Sequence, residues 1–71
     1  MTLVSRIRTR DMIRALIAAV DSGEIDATHP DFELGMLALA YVAAEDELWD
    51  EVFQLGARTR NGKEMLKRMA Q

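Results

Sequence analysis

The sequence predicts an all-α fold, a small three- or four-helix bundle with a buried central helix. Three observations predict it. Ile13, Leu16, Ile17 and Val20 recur at the i, i+3, i+4, i+7 spacing that marks one face of an amphipathic helix. No useful length of chain alternates apolar and polar residues with the period of two that a strand needs. One proline and four glycines in 71 residues leave room for long regular elements, and the abundant Leu, Ala, Met, Glu and Arg are helix formers.

The first helix is expected over about 9–22. Thr9 can cap it, Asp11 sits where the helix dipole favours negative charge, and Gly23 stops it. Leu3, Val4 and Ile7 are apolar but out of phase with the Ile13/Leu16/Val20 stripe. Residues 1–8 are therefore either a basic arm or a second apolar face on a longer helix.

A loop from Glu24 to His29 precedes a second helix over about 30–45, opened by Pro30 and capped by Thr28 or His29. Asp31 and Glu33 favour that end electrostatically. The helix carries Phe32, Leu34, Met36, Leu37, Leu39, Tyr41 and Val42, apolar nearly all round, and is read as the central element wrapped by the others. Glu45-Asp46-Glu47 holds no glycine or proline. Either one helix of about 39 Å runs from Pro30 to Leu55, or Asp46 caps a new helix over about 47–55. The break is preferred because it buries more apolar surface. A last helix over about 62–70 follows an Asn61-x-x-Glu64 capping pattern. The expected core is Ile13, Leu16, Ile17, Val20, Leu34, Leu37, Tyr41, Leu48, Val52, Phe53 and Leu66.

The chain is expected to form a single domain, 1–71. A domain this short buries only about 60% of its unfolded surface, and its core supplies on the order of 3–5 kcal/mol. With no cysteine, neither disulfides nor thiolate metal sites can add to that. Good helix packing or association, with another protein or with itself as a homodimer, is left to do so. The basic first ten residues lack the apolar core of a signal peptide. The longest uncharged run, Leu34 to Ala44, falls well short of the ~20 residues of a membrane span. A cytoplasmic location is the expectation.

Charge is segregated. Residues 1–20 hold four arginines against Asp11, net +3; residues 21–51 hold ten carboxylates and no cation, net −10; residues 52–71 hold five cations against Glu64, net +4. The terminal helices can pair with the acidic middle inside the fold. The segregated fields can also steer a charged partner or an antiparallel copy of the chain.

Catalysis and metal binding find no pattern. His29, the one histidine, sits beside Pro30, and two serines offer no nucleophile–base pair at readable spacing. In a Ca²⁺ loop starting at Asp21, Gly23 would fall where a ligand belongs and Asp26 where glycine belongs. Gly35, Tyr41, Trp49 and Phe53 depart from the tetratricopeptide spacing at two positions. The expectation is therefore a non-enzymatic protein–protein interaction module (an adaptor, inhibitor or regulator) with no cofactor and no metal. Its candidate partner-binding residues are Trp49 and Phe53, an aromatic pair ringed by Glu47, Asp50 and Glu51, and Arg6, Arg8 and Arg10. The second reading is a small DNA-associated regulator contacting phosphate through the basic N-terminal arm.

Overall fold

A computed structural model describes residues 3–70. Among these described residues four helices follow one another: α1 (Leu3–Asp21), α2 (Pro30–Glu45), α3 (Trp49–Gly56) and α4 (Gly62–Ala70). No strand occurs among the described residues. The fold is all-α, as the sequence predicts.

α1 begins six residues before the expected start. From Leu3 onward the N-terminal segment is a helical extension, with Val4 and Ile7 exposed on its outer side. Residues 1 and 2 lie outside the described residues. Thr9, expected to cap α1, sits inside the helix and is buried. The reason is phase: at 100° per residue Thr9 falls on the same side as Ile13 and Val20.

Gly23 ends α1 as expected. Its φ is +86°, its N–H donates to the Val20 carbonyl at 3.1 Å, and Glu24 N–H donates to the Ala19 carbonyl at 2.9 Å. Those two bonds define a Schellman motif. His29 caps α2: its Nδ1 accepts from Asp31 N–H at 3.1 Å, and Pro30 fills the first turn.

The chain breaks between α2 and α3, as preferred, but not through an Asp46 cap. Asp46 is the C-cap of α2, and α3 starts behind Leu48 with no side-chain cap. Glu47 N–H donates to the Ala44 carbonyl at 3.2 Å and Leu48 N–H to the Ala43 carbonyl at 2.8 Å. This is a second Schellman motif, with Glu47 at φ +59° in the place that glycine usually holds. Leu48 and Ala43 are both buried, the hydrophobic contact that accompanies such an end.

The core is Ile13, Met36, Ala40, Ala43, Leu48, Val52, Leu55 and Leu66, with Leu16, Ile17, Leu37 and Phe53 packed partly buried against it. Val20 is half-buried. Leu34 and Tyr41 are corrections to the expected core: 67% and 69% of their surfaces are exposed. Burial of α2 is one-sided. Met36, Ala40 and Ala43 face inward, and small alanines there let the neighbouring helices approach closely. α2 and α3 each touch every other helix, whereas α1 and α4 do not meet. The radius of gyration, 11.4 Å, matches the ~11 Å expected of a compact chain of this length.

Candidate interaction surface

Among the described residues, the outer face of α2 carries the two most exposed large apolar side chains, Leu34 and Tyr41. Leu34, Ala38, Tyr41 and Val42 lie along it and all are exposed. Their spacing (i, i+4, i+7, i+8) places them on one side of a helix. Asp31 and Glu45, also exposed, stand at its two ends. The sequence offers no phase for α2, because it is apolar on both sides. Packing chose the side carrying alanines and Met36 and left the bulkier Leu34 and Tyr41 in solvent.

A groove adjoins this face. Met12 and Leu16 of α1 form one wall, and Phe32, Gly35 and Leu39 of α2 form the other, around a cavity of about 340 Å³ with Asp31 on its rim. Buried Met36 and Leu55 also line it. Gly35 has open space where a Cβ would stand, so the groove is unobstructed there. Met12 is 53% exposed. Side chains with this much open apolar area are suited to receiving an apolar ridge.

The outer face of α1 is a second unpartnered surface of different charge. Val4 is 58% exposed, and Ile7 is exposed with it. Ala15 and Ala18 continue the same side, and Arg8 and Arg14 flank it, all exposed. Asp11, on this side too, lies 3.7 Å from Arg10.

The residues singled out from the sequence are dispersed. Trp49 and Phe53 do pair, with ring centroids 5.9 Å apart and planes tilted by 39°. Both are half-buried and pack against the core, so their rings hold α3 in place as well as reaching the surface. Arg6 Nε donates to the Asp46 carbonyl at 3.0 Å. Arg10 is half-buried, and its Nε is inaccessible and has no hydrogen-bond partner. Arg8 is exposed and projects to another side of α1. The three arginines do not form one phosphate-facing row. The sequence pattern does not mark Leu34, Tyr41 and Val42 as surface residues; the one available signal is the size contrast with Ala40 and Ala43 across the helix.

Polar contacts pin the ends of the bundle. Arg58 reaches Asp21 with two bonds, Nε to Oδ1 at 2.7 Å and Nη2 to Oδ2 at 3.0 Å. The guanidinium's hydrogen bond, with its positive charge, holds the Asp21 carboxyl below its ordinary value and raises Arg58 in turn. Asp26 Oδ1 accepts from Thr28 Oγ1 at 2.6 Å and Thr28 N–H at 2.9 Å, and the Thr28 hydroxyl, then the Thr28 N–H, lower its pKa. Glu33 accepts from Asn61 N–H, joining α2 to the start of α4. Among the described residues, Arg58–Asp21 is the one ion pair within 4 Å that links a terminal basic segment to the acidic middle. Most of the charge segregation therefore remains on the surface.

No group of three or more His, Cys, Asp or Glu among the described residues is placed to hold a metal ion. No described helix is long and apolar enough to cross a membrane. No protein-family model, curated protein or solved structure matches the chain.

Proposed function

We propose that this chain is a non-enzymatic protein–protein interaction module and that the outer face of α2, with the groove beside it, is its docking surface. One observation carries the reading: Leu34, Ala38, Tyr41 and Val42 form a continuous exposed stripe on a helix whose core contacts are made by Met36, Ala40 and Ala43 on its other side. Nothing in the fold requires four apolar residues there. A stripe with this spacing is the shape that accepts an apolar helical ridge from a partner. Tyr41 is the natural anchor, since tyrosine combines a large apolar ring with a hydroxyl for the rim and is enriched at binding hot spots. Asp31 and Glu45 at the ends favour a partner carrying positive charge and speed its encounter. The anchor role that the sequence suggests for Trp49 and Phe53 passes to Leu34 and Tyr41, because the two α3 rings support the core.

The test is a photo-crosslinking amino acid placed at Leu34 in cells that make the protein. A discrete protein adduct is expected at Leu34 and not at exposed Glu64 on α4. Equal, diffuse labelling at both positions would remove the basis for this reading.

A further inference from the structure

We infer that the occupant of the α2 face is the outer face of α1 from a second copy of the chain, giving a head-to-tail association. The inference rests on the interaction-module reading and names its partner. Both surfaces are apolar, exposed and left over after the core is complete: Leu34, Tyr41 and Val42 on α2, Val4 and Ile7 on α1. Their charges are complementary. Asp31 and Glu45 mark the ends of the α2 face, and no Lys or Arg occurs between Arg14 and Arg58. The α1 face is flanked by Arg8 and Arg14, and its one acid, Asp11, already lies 3.7 Å from Arg10. The lengths also match. Nineteen residues of α1 span about 28 Å and sixteen of α2 about 24 Å at the standard rise.

Like-on-like pairing is less favourable. Two α2 faces packed antiparallel would bring Asp31 of each copy toward Glu45 of the other. Two α1 faces packed antiparallel would set Arg8 of both copies along one flank and Arg14 of both along the other. Charges of one sign set against each other oppose association. Pairing α1 with α2 removes both conflicts and buries both apolar stripes. Such a contact is heterologous, so it closes into a ring or extends, unlike a two-fold dimer.

The experiment uses the full chain and two double variants at exposed positions, Val4→Gln with Ile7→Gln, and Leu34→Gln with Tyr41→Gln. Glutamine is neutral and a good helix former, and circular dichroism checks that each remains helical. Light scattering after size exclusion measures mass. The unaltered chain is expected to rise above its 8.0 kDa monomer mass with concentration, and to fall back toward it in high salt. Each variant alone is expected to stay monomeric. Mixed one to one, they are expected to form a heterodimer of twice the mass, because each still carries the face the other lacks. A wild-type chain that stays monomeric at millimolar concentration overturns the inference. So does a mixture that stays monomeric, or a variant that still dimerises alone. A monomeric chain that nevertheless crosslinks through Leu34 to a different protein sinks self-association and leaves the module reading standing.

Discussion

Arg6 Nε donates to the main-chain carbonyl of Asp46 at 3.0 Å, tying the start of α1 to the end of α2. The carbonyl is one of those that a helix end leaves without a partner in its own helix. The Asp46 side chain takes no part. The residue is only 4% exposed, and neither carboxylate oxygen has a hydrogen-bond partner. Substitutions at the two ends of this contact should therefore have opposite signs. Arg6→Ala removes a charged donor from a helix-end carbonyl and should cost about 1 kcal/mol. Asp46→Ala keeps the carbonyl and deletes the buried, unbonded carboxylate, and should gain on the order of 1–3 kcal/mol. Urea unfolding midpoints measure both. A large loss of stability in Asp46→Ala would show that the carboxylate is compensated by neighbouring charge.

Glu47 occupies the left-handed position of the α2 Schellman motif at φ +59°, where Gly23 serves the equivalent end of α1. A non-glycine residue there costs roughly 1–2 kcal/mol in steric strain. Glycine gives back part of that through the extra freedom of its unfolded chain. Glu47→Gly should raise stability by about 0.5–1 kcal/mol, and Glu47→Val should lower it, since a β-branched residue suits positive φ least. Thermal unfolding of the pair decides. A drop in melting temperature for the glycine variant would refute the Schellman assignment.

This motif also explains what the sequence did and did not disclose. The helix over Pro30–Glu45 and the last helix Gly62–Ala70 are legible because Pro30 opens a long apolar run and because the Asn61-x-x-Glu64 pattern precedes an apolar stripe of Met65, Leu66 and Met69. The start of α1 is not, because Thr9 looks like a cap and is small enough to be buried inside a helix instead. The α2–α3 break carried no glycine. It is imposed by tertiary burial of Leu48, Val52 and Leu55, which overrides the local tendency to continue. The candidate surface was hidden for a different reason. A helix apolar all round has no phase, so hydrophobic pattern alone could not say that Met36 goes in and Leu34 stays out.

Gly62 is constrained by space. A Cβ on it would collide with Thr59 Oγ1 and lie 2.6 Å from Met36 Cε. Thr59 cannot swing away freely, because its Oγ1 accepts from Gly62 N–H at 2.8 Å and donates to the Gly56 carbonyl at 2.7 Å. Gly62→Ala should cost about 1–3 kcal/mol through overpacking. Gly35→Ala is the control, since its Cβ would meet nothing within 4 Å. It should be neutral or slightly stabilising, because alanine favours helix. Equal melting temperatures for the two variants would contradict the crowding at Gly62.

Acid should weaken the tie between α1 and the end of α3. The hydrogen bond and charge of Arg58 lower the Asp21 pKa below its ordinary value of 3.8. A carboxyl with a lower pKa folded than unfolded stabilises the fold above its unfolded value, and that contribution is lost as pH falls through the folded one. The loss thus begins near 3.8 and is complete below the lowered value. Asp21→Asn should reduce stability at neutral pH and flatten its decline below pH ~4. Both differences should shrink in high salt, because the pair is exposed. Unfolding curves with and without the substitution, run from neutral to strongly acid pH, test this. Parallel pH profiles would remove Asp21 from the acid response.

Trp49 and Tyr41 should separate stability from binding. Trp49 is half-buried against the core, its ring tilted against Phe53 with centroids 5.9 Å apart. Trp49→Ala removes core contact and the ring pair, and should cost about 2–4 kcal/mol, somewhat below the range for a fully buried aromatic. That is a large share of the few kcal/mol a domain of this size possesses, so partial unfolding at 37 °C is expected. Tyr41 is 69% exposed and holds no core neighbour in place. Tyr41→Gln should shift stability by less than about 0.5 kcal/mol and still abolish the crosslink from Leu34. Circular dichroism melts read the first property and crosslinking the second. If Trp49→Ala melts like the unaltered chain while losing the crosslink, the anchor belongs to α3. The docking surface would then have to be redrawn around Trp49 and Phe53.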